Sequence, residues 1–288
     1  MTTATRELLD GLCDDAALFP PGNLPLVDAV PAHVGHLASD HRALVGPFIV
    51  SAADVGALGP LLAEVDLFEV AVTVPSPDRL PAALADAAGV PAVRVVAVEV
   101  AVPVGVDASQ VVPVLDAAVA EHPGLEVYVE LPRDERRPAL LATLVGTRYH
   151  AKLRTGGVRA DLYPDEHELA AAVVACVAAG VAFKATAGLH HAVRNTDPST
   201  GFEQHGFLNV LAAVDAARGG ATVDEVAELL AERDARTVAA WVADLDGSVR
   251  AAFRSFGTCS IDDPRDELTA LGLLDRIPHT TDQGARSW

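Results

Sequence analysis

The 288-residue sequence predicts a (β/α)8 TIM barrel in a single domain, on three observations. Short Val-rich runs alternate along the chain with Ala- and Leu-rich segments of helical spacing. Eight such units occupy about 250 residues, the length and rhythm of a closed barrel whose parallel strands need helical crossovers. No linker rich in Pro, Gly or Ser divides them. A doubly wound open sheet is the main rival, but no Gly-rich dinucleotide fingerprint follows an early strand.

After an N-terminal helix, the strands are expected at AALFP (16–20), PFIVS (47–51), LFEVAVTV (67–74), VRVVAVEV (93–100), LEVYVEL (125–131), YHAKLRT (149–155), VAFKATA (181–187) and VRAAFRSF (249–256). They are rich in β-branched and apolar residues and bounded by turn residues. Between them, DRLPAALADAAG, ASQVVPVLDAAVAEH and PDEHELAAAVVACVAAG have helical spacing. In the last, Pro164 suits a first helical turn and Gly180 a stop. The stretch at about 206–246 is longer than one crossover and is expected to hold two or three helices.

Composition narrows the partners. With 50% hydrophobic but only 5% aromatic residues, the core must be built mainly from Val, Leu and Ala. The 21 basic against 40 acidic side chains give a formal charge of −19, which repels polyphosphates over the surface at large. Nucleic acid and anionic membrane are therefore not expected partners. A small anionic metabolite is, because a few arginines in a cleft reverse the local field. No apolar run is long enough to span a bilayer, and the N-terminus lacks a basic start followed by an apolar core, so a cytoplasmic location is expected. The three cysteines, Cys13, Cys176 and Cys259, are odd in number and far apart, which argues against a disulfide framework or a zinc ribbon. A homo-oligomer is compatible with the sequence.

Strand phase sorts the polar residues. Glu126, Tyr128 and Glu130 share one face of their strand; His150, Lys152 and Arg154 share one face of the next; Ala182, Lys184 and Thr186 one face of the next. Helices cover a barrel from outside, so these faces are expected to point into the lumen, with Lys152 and Lys184 meeting at the C-terminal mouth, where barrel active sites lie. Two neighbouring ammonium groups repel, and burial disfavours charge, so at least one lysine is expected to have a lowered pKa. A neutral lysine attacks a carbonyl to form a Schiff base. Glu130 would accept a proton or act as counter-ion. The plainer alternative is a lumen salt bridge between Lys152 and Glu130.

The pieces AKLRTGG (151–157), FKATAGLHH (183–191) and FRSFGTCS (253–260) resemble, in order and character, three strand ends of the deoxyribose-phosphate aldolase group of class I aldolases. The resemblance covers about 25 residues in three short motifs. It implies a Schiff-base lysine at Lys152, a tuning lysine at Lys184, and an anion cradle at the turns holding Gly156, Gly157, Gly188, Gly257, Thr258 and Ser260. Exposed backbone N–H groups in such turns bind anions without net positive charge. The chain departs from the family at Arg154, where the family has a small residue, at the His190 and His191 pair, and in the long segment between strands seven and eight.

The histidines open an alternative. In a loop beyond the strand, His190 and His191 could converge with Asp14, Asp15, His150 or His205 on a divalent metal, as in metal-dependent barrel lyases. An acidic helix-capping role for the aspartates is the other option. Cys176 reads as core, while Cys259, in a Gly-containing turn, has the better claim to reactivity. Arg154, Arg159 and Arg194 are candidates for gripping an anionic substrate, each with the alternative of a solvated loop charge.

The sequence is thus best read as an aldolase-like carbon–carbon lyase. Lys152, Lys184 and Glu130 would be catalytic; Arg154, Gly156, Gly157, Gly188, His190, His191, Arg194, Gly257, Thr258 and Ser260 would bind substrate, with no cofactor and no metal. A metal-dependent lyase or hydrolase using His190 and His191 with Asp14 and Asp15 is one alternative. A non-catalytic barrel that binds an anionic metabolite is the other.

Overall fold

The computed structural model describes residues 3–275. Eight strands form one closed, wholly parallel sheet, the (β/α)8 architecture expected from the sequence. They are β1 (Cys13–Asp15), β2 (Val45–Ser51), β3 (Phe68–Val74), β4 (Val93–Val100), β5 (Glu126–Leu131), β6 (His150–Arg154), β7 (Phe183–Thr186) and β10 (Phe253–Thr258). The two-residue strands β8 (Asn195–Thr196) and β9 (Glu203–Gln204) form a separate antiparallel ribbon after β7. Closure is made by β1, which pairs with β10 on one side and β2 on the other.

The helices are α1 (Thr3–Leu9), α2 (Leu26–Leu37), α3 (Leu80–Ala88), α4 (Ala108–Ala118), α5 (Arg137–Leu144), α6 (Glu166–Ala178), α7 (Phe207–Arg218), α8 (Val223–Ala231), α9 (Ala235–Ala243) and α10 (Asp262–Ala270). Between β2 and β3 the crossover is instead a 3₁₀ segment, Val55–Leu62, which contains Pro60. A proline there removes a backbone donor from any longer helix. The stretch expected at about 206–246 contains α7, α8 and α9. Asn209, fully buried in α7, accepts from the Arg194 backbone N–H and donates to the carbonyls of Leu229 and Glu232, which ties α8 to α7. Phe207 stacks on Phe256 with ring centroids 4.7 Å apart, fixing α7 to β10.

Three expected boundaries shift. The first strand is Cys13–Asp15, not 16–20, and all three of its residues are buried. Two adjacent aspartates are costly to bury, yet each finds a buried partner here. The last strand is 253–258 rather than 249–256, because residues 247–251 form a 3₁₀ turn. The cap of α6 is Asp165, whose side chain accepts from the Glu168 N–H at 2.8 Å, and Pro164 lies just outside that helix.

The core has two parts. The larger lies between sheet and helices, and the smaller, Ile49, Ala71, Ala97 and Tyr128, fills the lumen. Alanine at two of these four positions leaves room inside the barrel for long charged side chains. No helix among the described residues is long and apolar enough to cross a membrane.

Candidate active site

Register aligns the charged residues before any side chain is considered. Glu130 pairs with Lys152, and Lys152 with Lys184, across β5, β6 and β7. All three turn into the lumen as the strand phase predicts, and two further carboxylates join them. Ser255 Oγ donates to Asp14 Oδ2 at 2.7 Å, and Lys184 Nζ donates to the same oxygen at 2.5 Å. Lys184 also donates to Glu99 Oε1 at 2.5 Å. Lys152 Nζ lies 2.7 Å from Glu99 Oε2 and 3.2 Å from Glu130 Oε2. The result is a column, Asp14, Lys184, Glu99, Lys152, Glu130, in which signs alternate along the barrel.

Glu99 is the centre of this column and 2% exposed. Burial opposes its charge, yet the Lys152 and Lys184 ammonium groups hold its pKa down at about 2. Lys184 is 1% exposed, and burial likewise opposes its charge; Asp14 and Glu99 outweigh burial and raise its pKa. It also lies 5.2 Å from the centre of the Tyr128 ring, a favourable face for a cation. Lys184 is thus not the lysine with a lowered pKa, because a carboxylate stands between it and Lys152. Asp14, 2% exposed, is raised by its burial, with Lys184 and Ser255 offsetting part of the effect.

The two lysines do not share the mouth. A cavity of about 780 Å³ opens over the C-terminal ends of the strands, and its lining includes Glu99, Glu130, Lys152, Arg154 and Thr186. Its walls are otherwise largely apolar, from Phe19, Ile49, Val74, Val158 and Leu162 among others. Lys184 lies deeper and borders a second cavity of about 480 Å³ at the opposite end, with Asp14, Glu126, Tyr128, Arg250 and Arg254. Arg154 has no hydrogen-bond or ion-pair partner among the described residues, so it presents an uncommitted guanidinium to the mouth cavity.

Of the remaining expected substrate residues, Gly157, His190 and Gly257 line the cavity. Gly156, Gly188, His191, Arg194, Thr258 and Ser260 do not. Gly156 and Gly188 pack against each other: a Cβ on Gly156 would come 2.9 Å from the Gly188 Cα and 2.5 Å from the Tyr163 ring. Their small size serves the crossing of two loops, helped by left-handed backbone at Ala187 (φ 60°) and Gly188 (φ 79°). Thr258 Oγ1 donates to the Ser260 carbonyl within the turn, and Ser260 Oγ accepts from the Asp263 N–H at the start of α10. Arg194 is 7% exposed and lies 2.6 Å from Glu166 and 3.3 Å from Glu203, an internal ion pair rather than a substrate grip. Arg159 pairs with Asp161 on the surface.

The metal group offered as an alternative does not assemble among the described residues. Asp15 lies 2.9 Å from His33 Nδ1, while Asp14 belongs to Lys184. His191 Nδ1 is 2.6 Å from Glu267, which also accepts from the Ala192 N–H and pins the loop to α10. His205 Nε2 donates to the Pro164 carbonyl and its Nδ1 accepts from Arg194. Burial lowers its pKa to about 4. His150 lies against the Tyr128 ring. His190 Nδ1 stands 3.3 Å from Cys259 Sγ at the cavity wall; burial lowers the imidazole and raises the thiol, so the pair is neutral at pH 7.

Glu99 and Asp14 are the functional candidates that sequence reasoning missed or misplaced. The signal for Glu99 was present: a lone carboxylate in the apolar run VRVVAVEV is as costly to bury as a lone lysine, and needs a partner for the same reason.

No family model matches the sequence, and no curated protein matches it. Among solved structures, the chain is similar to a provisionally named deoxyribose-phosphate aldolase from Toxoplasma gondii ME49, at 16% identity and TM-score 0.45, over 94% of this chain and 98% of that one. A second structure of that provisional name and source gives 14% identity and TM-score 0.42, over 93% and 95% of the two chains. A provisionally named member of the dihydrodipicolinate synthase family from Coccidioides immitis gives 14% and 0.35, over 85% and 86%. At such identities and scores the likenesses carry no argument about activity, and the assignment of the fold rests on the closed parallel sheet itself.

Proposed function

We propose that the protein is an aldolase-like carbon–carbon lyase that acts on a small anionic carbonyl compound through a Schiff base on Lys152. One observation carries the reading: Lys152 is the lysine that reaches the mouth cavity, between two carboxylates and in the same cavity as an arginine, Arg154, with no partner among the described residues. In this scheme Glu130, partly open to the cavity, takes a proton from Lys152, and the neutral amine attacks the carbonyl carbon. The carbinolamine then expels water, leaving an iminium ion at Nζ that draws electrons from the scissile carbon–carbon bond. Glu99, kept ionised by both lysines, lies beside the iminium. Lys184 holds Glu99 in place from below and takes no part in the covalent chemistry. Arg154 receives the carboxylate or phosphate of the substrate, and the apolar wall takes its hydrocarbon part.

Borohydride reduction tests the covalent step. Incubation with a panel of small anionic aldehydes and keto acids, followed by reduction, should add mass to the peptide containing Lys152, and Lys152→Arg should abolish the adduct because guanidinium stays protonated. Lys184→Met should weaken trapping without moving the label. The specific rival is a purely structural column, favoured by the fact that Lys152 is paired on both sides. Failure to trap any carbonyl at Lys152 across the panel would leave that rival standing.

A further inference from the structure

One cluster away from the mouth has no role in the chemistry above. His36 lies in the last turn of α2, His41 in the turn before β2, and Asp262 opens α10. One ligand atom from each of the three lies within 4.8 Å of the others. The rings of His36 and His41 are 5.8 Å apart, and His36 Nδ1 is 4.0 Å from Asp262 Oδ1. His41 is only 8% exposed, yet neither of its ring nitrogens has a hydrogen-bond partner among the described residues. Buried polar atoms are nearly always satisfied, and here two on one ring are not.

We propose that His36, His41 and Asp262 form a binding site for one divalent ion of the zinc class. Two imidazoles and a carboxylate suit zinc and its first-row neighbours, whereas magnesium and calcium prefer oxygen donors throughout. Metal–ligand bonds of about 2.0–2.2 Å set tetrahedral ligand atoms roughly 3.4 Å apart. The three groups therefore need to close by about 1 Å, a change that side-chain torsions of the partly exposed His36 and Asp262 can make. Three protein ligands leave a fourth position for water. Arg265 is the competitor, since it pairs with both Asp262 and Asp266. The ion would displace it from Asp262 and leave it on Asp266.

Position gives the site a consequence. Helix α2 follows β1 and α10 follows β10, and these two strands are the neighbours that close the barrel, with Asp14 opposite Gly257. An ion shared by α2 and α10 clamps that seam from outside. None of its three ligands lines the mouth cavity, so the site is independent of the lyase chemistry.

The test uses the full chain, free of any purification tag, and zinc chloride. Calorimetry should show one tight zinc per chain, metal analysis after dialysis should find it retained, and cobalt substitution should give the visible absorption of a four-coordinate site. Zinc at 100-fold excess over Kd should raise Tm by roughly 5–10 °C. His41→Ala should weaken zinc binding roughly tenfold or more. Because that change also opens a cavity, His36→Gln and Asp262→Asn provide the independent test. Each should weaken zinc to a similar degree with little effect on the metal-free Tm. Arg265→Ala should tighten zinc, and His167→Ala, at an exposed site, should change nothing. No retained zinc, or equal affinity in His36→Gln, Asp262→Asn and the unaltered chain, overturns the proposal.

Discussion

Glu99→Gln is the most informative single change, because the carboxylate is shared by two lysines and reaches the cavity. Its pKa falls from the 4.5 of an unperturbed glutamate to about 2 in the folded chain. Each pH unit of that difference corresponds to about 1.4 kcal/mol, so the ionised carboxylate favours folding by roughly 3 kcal/mol at pH 7. The amide keeps the shape but not the charge, and leaves two buried ammonium groups with only Asp14 and Glu130. Breaking a buried pair from one side typically costs about 3–5 kcal/mol, so the two routes agree. The sign over pH follows from the depressed value. The contribution is complete above about pH 4.5 and is lost as pH falls toward 2. Urea unfolding of both proteins at pH 7, 5, 4 and 3 should show the gap between them narrowing by about 2 kcal/mol across that range. A gap of constant size, or a variant as stable as the parent at pH 7, would refute the placement of Glu99 between two charged lysines.

Two further changes probe other parts of the molecule. His205, lowered from 6.5 to about 4 by burial, must be neutral to fold, so it should remove about 2 kcal/mol of stability as pH drops from 7 to 5; His205→Gln should flatten that slope in acid unfolding curves, and an unchanged slope would show another group is responsible. Arg154→Ala should raise the KM or Kd for an anionic carbonyl compound by roughly 10–100-fold while leaving a neutral one of similar size unaffected, measured side by side in the trapping assay.

The parts of this molecule that could be read from the sequence are those where a local pattern has a single structural solution. Alternation along LEVYVEL and YHAKLRT put Glu130 and Lys152 on lumen faces, and their register in the sheet agrees. Spacing of one strand–helix repeat put Lys184 beside Lys152, which also agrees. What could not be read is contact between residues far apart in the chain. Lys184 meets Asp14 at a separation of 170 residues and Glu99 at 85, and nothing local reports either distance. The raised pKa of Lys184 has the same origin: phase places two cations together, but the anions that outweigh their repulsion arrive from β1 and β4. The first strand lies earlier than expected because its two aspartates are buried against Lys184 and His33, partners that nothing local reports. Gly156 and Gly188, which read as an anion cradle in sequence, also have a packing reason to be small that sequence does not report, because two loops cross there.

The charge column also answers the objection that a lysine already held by two carboxylates is a poor nucleophile. A lysine ammonium and the iminium formed from it carry the same charge at the same nitrogen. Groups placed to favour the first therefore favour the second, and in a low-dielectric lumen they do so without reorganising. Only the short-lived neutral amine between them is disfavoured, and the carboxylate best placed to hold its proton is Glu130, which is partly open while Glu99 is sealed between two cations. Three carboxylates for two lysines leave the column one negative charge in excess, and Arg154 lines the same cavity as Glu99, Glu130 and Lys152. An anionic substrate in the proposed scheme meets the guanidinium first and the amine second. In the proposed scheme Glu130→Gln should therefore slow formation of the trapped adduct while leaving affinity for the anion, which belongs to Arg154, largely intact; loss of affinity with normal trapping would reverse the two roles.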